Sequence, residues 1–133
     1  MVAAFRSRTG ASRQILLAAL EQRFELLLSV PLILEYEAVL NRSEHLAASA
    51  LTNRDVDRVL DALAAIAKPV KLAFRWRPRL RDPNDDMVLE TAVNGNAGAI
   101  VTFNQRDFEE AKKGFECTVL LPAAALRRIW RKP

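Results

Sequence analysis

Four short, continuous apolar runs, separated by longer amphipathic segments, most constrain what this chain can fold into. The runs cover residues 24–28, 70–74, 99–102 and 118–121. In the segments between them, apolar residues recur with the 3.6-residue period of a helix. Strands without an alternating polar face are typical of a parallel sheet that is covered by helices on both sides. The sequence therefore predicts an α/β fold with a parallel central sheet.

Length and composition restrict the class of protein further. The 133 residues are expected to form one domain, residues 1–133, and 50% of them are hydrophobic, so a core can form without covalent links. The single cysteine, Cys117, excludes a disulfide framework, and the single histidine, His45, excludes a two-histidine zinc site. Neither a signal peptide nor a membrane-spanning run is found in the sequence, so we expect a cytoplasmic protein without membrane association. The net charge of +4 permits an anionic partner.

Acidic side chains follow three of the four predicted strands, where a parallel α/β sheet carries its functional site. Glu35 and Glu37 lie in the helix after the first strand, and Asp107 follows the third. Asp82 and Asp85 begin the helix after the second strand. Carboxylates gathered without histidine or cysteine are suited to hard cations such as Mg²⁺ or Mn²⁺. An ion of this kind can activate water and stabilise a displaced phosphate oxygen.

The acidic helix start also has a structural interpretation, because aspartates favour a helix N-terminus whatever their function. Asp82 can cap the helix, bind a metal, or do both. Asp85 falls on the apolar stripe and is expected to face the sheet edge, whereas Asp86 stacks with Glu90 on a more solvated face. Gly95 is expected to cap the end of this helix.

The other acidic positions stay open on spacing alone. Glu35 and Glu37 flank the apolar stripe of their helix at similar angles, so the helical period does not choose between them. Both can be solvated flanking charges. Asp107 can instead be the N-cap of a short helix over residues 107–113.

Three segments carry motifs that resemble a known family. Residues 29–40 read SVPLILEYEAVL, residues 81–92 read RDPNDDMVLETA, and residues 99–108 read AIVTFNQRDF. In this order and spacing they resemble the PIN-domain family, in particular its toxin components of toxin–antitoxin modules. The resemblance implies a PIN-like three-layer α/β/α sandwich with a divalent-metal-dependent ribonuclease site.

The resemblance also implies roles for individual residues. Glu35, rather than Glu37, matches the family's first acidic position in these motifs, and Asp85 and Asp107 match the later ones. These three residues are the expected catalytic residues and metal ligands, with Thr102 and Asn104 at the edge of the site. Asn104 stands where many members of the family carry another aspartate.

One departure from the family pattern concerns the beginning of the sequence. PIN domains open with a central strand that ends in an Asp-Thr-Asn motif, and residues 1–12 resemble the stretch that follows it. The resemblance implies that the first strand and its metal-binding aspartate are missing here, so we expect weak or absent metal occupancy and impaired cleavage. A missing middle strand leaves unpaired backbone groups on two neighbours. We expect rearrangement, pairing of the flanking strands, or a partner chain to fill the gap, with a homodimer or strand exchange as the favoured outcome.

A basic strip precedes the acidic helix start. The strip is made up of Arg75, Trp76, Arg77, Arg79 and Arg81. If the segment is extended, its arginines share one face and can contact phosphates, while Trp76 can stack on a base. The alternative is a sheet edge protected by charges, with Trp76 in the core.

Two functions remain in competition. The leading hypothesis is a toxin of a toxin–antitoxin system, a Mg²⁺- or Mn²⁺-dependent endoribonuclease that hydrolyses RNA phosphodiesters and has a cognate antitoxin as partner. The alternative is a non-catalytic module that binds RNA or an antitoxin. A receiver-like phosphoacceptor is disfavoured because no matching lysine follows a strand.

Overall fold

The computed structural model describes residues 1, 4–5, 10–73, 83–112 and 114–131, and every structural statement below refers to these residues. The helices are α1 (Ala11–Leu20), α2 (Val30–Leu40), α3 (Ser43–Ser49), α4 (Asn53–Ile66), α5 (Pro83–Asn94), α6 (Gln105–Ala111) and α7 (Pro122–Arg131). The strands are β1 (Leu27–Leu28), β2 (Lys68–Pro69), β3 (Ala99–Val101) and β4 (Thr118–Leu120). The predicted α/β class with parallel strands is confirmed.

The strands form two separate two-stranded parallel sheets within the described residues. In the first, Leu27 of β1 is opposite Lys68 of β2. In the second, Ile100 of β3 is opposite Val119 of β4. β1 and β3 do not pair with each other in this part of the chain, so pairing of the flanking strands does not close the sheet.

The predicted strand over residues 70–74 is displaced to Lys68–Pro69. Proline is tolerated there because the ladder does not need its missing N–H. The N–H groups of Lys68 and Val70 donate to the carbonyls of Leu26 and Leu28, each at 2.8 Å. The backbone nitrogen of Pro69, between them, therefore points away from β1. The Lys-Pro pair therefore follows the end of α4 and is itself an edge strand among the described residues.

Local capping residues in the sequence define two helix starts. The Ser29 hydroxyl accepts from the Leu32 N–H at 3.4 Å and begins α2. At α4, the Thr52 hydroxyl accepts from the Asp55 N–H at 3.1 Å, and the Asp55 carboxylate accepts from the Thr52 N–H at 3.0 Å. The pKa of Asp55 is lowered, because the Thr52 backbone N–H and the Thr52 hydroxyl both interact favourably with the ionised carboxylate.

The buried apolar residues form two clusters that follow the division of the sheet. The first lies among α1, α2, α4 and β1 and contains Ala4, Phe5, Leu16, Ala19, Leu28, Leu32, Leu40, Val56, Leu60 and Leu63. The second lies among α5, β3, α6 and β4 and contains Leu89, Ala92, Ile100, Phe108, Ala111 and Val119. Val88 of α5 packs against both clusters. Helix α5 is therefore the element that connects the two halves.

The end of α5 packs closely against the first sheet. A Cβ atom on Gly95 would lie 2.8 Å from both Leu27 Cδ1 and Val70 Cγ2. Helix α5 ends at Asn94, so Gly95 is its C-cap as expected, and the left-handed residue that follows is Asn96, with φ of 53°. Because Gly95 has no side chain, the chain at the end of α5 can lie close to Leu27 and Val70. Within the described ranges, each helix is too short or too polar to cross a bilayer.

Candidate functional site

The start of α5 meets the end of β3 through one side-chain hydrogen bond. The Asn104 Nδ2 amide donates to Asp85 Oδ2 at 3.1 Å. Asn104 is itself held in place, since its backbone N–H donates to the Thr102 hydroxyl at 3.0 Å. The Thr102 N–H donates to the Leu120 carbonyl at 2.9 Å, which continues the ladder of β3 and β4. Asp85, Thr102 and Asn104 therefore lie together at the carboxyl edge of this sheet.

Helix α2 brings a tyrosine to the same carboxylate. Burial raises the pKa of Tyr36 to about 12, and the negative charge of Asp85 adds to the shift. The phenolate is disfavoured for both reasons, so Tyr36 holds its proton beside Asp85. Sequence reasoning assigned no role to Tyr36. Tyr36 lies on α2, and α2 packs against α5. The helical period of α2 alone does not show which helix packs against it.

Glu35 and Glu37 differ in burial on α2. Glu35 is half-buried, whereas Glu37 is exposed. This difference agrees with the implied preference for Glu35, whose role as a ligand stays a prediction.

Asp107 lies in the first turn of α6 and is half-buried. The helix begins at Gln105, and Asn104 is its N-cap without a side-chain capping bond. The alternative in which Asp107 caps this helix is therefore wrong, because the helix starts two residues earlier. The Gln105 Nε2 amide donates to the Val119 carbonyl at 3.1 Å and anchors this start on β4.

The chemistry of these donors suits a hard cation, since carboxylate, amide and hydroxyl oxygens are its usual ligands. Among the described residues, however, no three aspartate, glutamate, histidine or cysteine side chains converge closely enough to hold a metal ion. Glu35, Asp85 and Asp107 are not brought together as the three-carboxylate cluster that the resemblance implied. The described residues by themselves do not fit a complete metal centre.

Comparison with protein families identifies the chain. A family model described as PIN domain matches residues 1–106. The chain belongs to the PIN-domain family. No curated protein and no solved structure matched the chain, so the assignment rests on the family model. Membership of the PIN domains implies a metal-dependent nuclease.

In this PIN domain the face of α5 next to Asp85 is not solvated. Asp86 and Glu90 are 3% and 1% exposed, so the expectation of a solvated face for this pair is wrong. Their neighbour Thr91 is also buried, and its hydroxyl lies 2.8 Å from that of Ser29. The amphipathic pattern failed here because α5 is covered on more than one side, against α2, β1 and β3. The Ser29–Thr91 contact, which sequence reasoning missed, ties the start of α2 to the middle of α5.

Several predicted site residues of the PIN domain lie outside the described residues. These are Asp82, Arg75, Trp76, Arg77, Arg79 and Arg81. Their predicted roles in metal binding and nucleic-acid contact stay predictions.

Proposed function

We propose that this PIN domain is a metal-dependent endoribonuclease and the toxin component of a toxin–antitoxin pair. The observation that carries the proposal is the contact of Asp85 with Asn104, at 3.1 Å, where helix α5 meets the end of β3. It joins two of the three motif segments at the sheet edge where α/β proteins hold their substrates. The cytoplasm and a cognate antitoxin are the proposed setting and partner, and Mg²⁺ or Mn²⁺ is the proposed ion.

Charge supports RNA as the substrate. The chain carries 20 basic and 16 acidic residues, and its sequence places Arg75, Arg77, Arg79 and Arg81 directly before helix α5. Arginines next to a carboxylate site can hold the phosphates on either side of the bond that is cut.

We further propose that activity is impaired in the 133-residue chain. The carboxylates of the described residues do not make a complete metal centre, and the family's Asp-Thr-Asn motif is not found in the 133 residues. Weak metal binding is the expected consequence, because a hard cation with few charged ligands keeps most of its water.

A cleavage assay tests the proposal. A labelled single-stranded RNA is incubated with Mn²⁺, with Mg²⁺ or with EDTA, and the 133-residue chain is compared with one extended upstream. Cleavage is expected to depend on the divalent ion and to be faster in the extended chain. In that chain, Asp85→Asn should slow cleavage by at least about tenfold.

The matched control is Asp61→Asn, which removes the same charge from an exposed position on α4 and should leave the rate unchanged. Equal metal-dependent activity with and without the upstream extension contradicts the proposed impairment. Cleavage that survives EDTA or Asp85→Asn contradicts the proposed site.

A second candidate is a non-catalytic module that binds RNA or an antitoxin. It is favoured by Asn104, a neutral amide that donates to Asp85 where the family often supplies another carboxylate. RNA binding without metal-dependent cleavage, in the extended chain as well, would favour this function.

A further inference from the structure

Phe103 is an exposed aromatic side chain between the two residues that hold the site edge. It is 70% exposed, although it directly follows Thr102 at the end of β3 and precedes Asn104. A ring of this size gains little for the fold when most of its surface stays in water. Packing within the described residues therefore stabilises this ring little.

The backbone on both sides of Phe103 is fixed. Thr102 donates its N–H to the Leu120 carbonyl and accepts from the Asn104 N–H with its hydroxyl. Asn104 is in turn bonded to Asp85 and accepts from the Phe108 N–H at 3.3 Å with its carbonyl. The Phe103 ring is thus presented to solvent from a rigid turn, one residue from the Asp85 contact. Because the backbone that carries the ring is already ordered, less conformational freedom is lost on binding.

We infer that Phe103 is a stacking platform for a nucleobase of single-stranded RNA that lies next to the Asp85 edge. This inference rests on the proposed ribonuclease function and adds to it a base-binding position. An exposed aromatic face stacks on any of the four bases, because each has a π-surface, so the contact holds the strand without selecting a sequence. The basic side chains would hold the phosphates, and the ring would hold a base.

The competing occupant is an apolar side chain of a protein partner. An aliphatic residue of similar size would serve such a contact nearly as well as an aromatic one. Stacking, in contrast, needs a flat π-surface. Replacing Phe103 by an aliphatic and by a second aromatic residue therefore separates the two occupants.

The test is the binding of a short fluorescent single-stranded RNA of mixed sequence, measured by anisotropy in EDTA so that no cleavage occurs. Phe103→Ala and Phe103→Leu are expected to raise the Kd by about 5- to 150-fold, the range for the loss of one stacked base. Phe103→Trp should bind within about twofold of the original chain, because indole also stacks. Leu34→Ala, which removes another exposed apolar side chain (58% exposed) from α2, is the control and should not change the Kd.

Salt dependence provides a second readout. Stacking releases no counterions, so Phe103→Ala should leave the slope of log K against log salt unchanged. Circular dichroism checks that each variant is folded, and Phe103→Leu stands in if the alanine variant is not.

Each other outcome overturns the inference. Unchanged binding in Phe103→Ala overturns the stacking platform and leaves the ribonuclease proposal standing. Full binding by Phe103→Leu shows an apolar contact of the kind a protein partner makes, and also overturns stacking. If the original chain binds no RNA, both the platform and the proposed RNA substrate fail.

Discussion

Tyr36 is the single tyrosine of the chain, so its titration reports on the surroundings of Asp85 without interference from another phenol. Burial is the larger cause of its raised pKa, and the Asp85 charge is the smaller one. We predict that Asp85→Asn lowers the pKa of Tyr36 from about 12 but leaves it above its ordinary value near 10. The measurement is the ultraviolet absorbance of tyrosinate during a pH titration.

The raised pKa of Tyr36 also makes the stability of the fold depend on pH. The folded pKa lies above the unfolded one, so the stabilising contribution is complete below about pH 10 and is lost as the pH rises towards 12. Tyr36→Phe should remove this part of the alkaline loss of stability. A Tyr36 pKa that Asp85→Asn does not change would show that the two side chains are not electrostatically coupled.

Asn104 shows how far sequence reasoning reaches at single residues. The motif predicted that Asn104 lies at the site edge, where many members of the family carry an aspartate. It could not predict that the amide donates to Asp85, because an asparagine side chain both donates and accepts and its partner is set by tertiary structure. The two residues are 19 apart in sequence, so no local pattern links them.

At the scale of elements, α5 is the connection between the two sheets, and Gly95, directly after its last residue, packs closely against the first. We predict that Gly95→Ala lowers the free energy of unfolding by about 1–3 kcal/mol, because the added Cβ would lie 2.8 Å from side-chain atoms of Leu27 and Val70. Chemical denaturation measures the change.

The chain provides a matched control for this substitution. A Cβ atom on Gly98 would meet no heavy atom within 4 Å, and the φ of Gly98 is not in the left-handed region, so Gly98→Ala should change the stability little. Equal effects of the two substitutions would contradict close packing as the reason for Gly95.

The starts of α2 and α4 were predictable, whereas the position of β2 was not, for a physical reason. Ser29 and Thr52 form capping bonds with residues three positions ahead, so the sequence contains the whole interaction. The position of β2 depends on pairing with β1, about 40 residues away, which local composition does not encode. The burial of Asp86 and Glu90 escaped prediction because it depends on which elements cover α5.

For the whole molecule, the sequence predicted parallel strands but could not show how their sheet is divided. Gly98 and Thr102, on either side of β3, hydrogen-bond to β4 through their backbone groups. Because this bonding alternates along a parallel strand, the backbone groups of Ala99 and Val101 point away from β4. In the same way the backbone groups of Leu27 face away from β2. Val101 is 42% exposed at this edge. The described residues therefore present backbone edges on β1 and β3 that another strand could pair with.

Our last prediction is that the 133-residue chain fills these edges with a second copy, by dimerisation or strand exchange. An isolated two-stranded sheet is marginally stable in water, so pairing of an open edge is favourable. Light scattering after size-exclusion chromatography should give a mass that rises towards twice 14.9 kDa with concentration. Amide exchange at Leu27 and Val101 should slow as the dimer forms, while Ile100, which faces β4, is protected throughout. A monomeric mass for the 133-residue chain at all concentrations, with fast exchange at Leu27 and Val101, would contradict the second copy as the occupant.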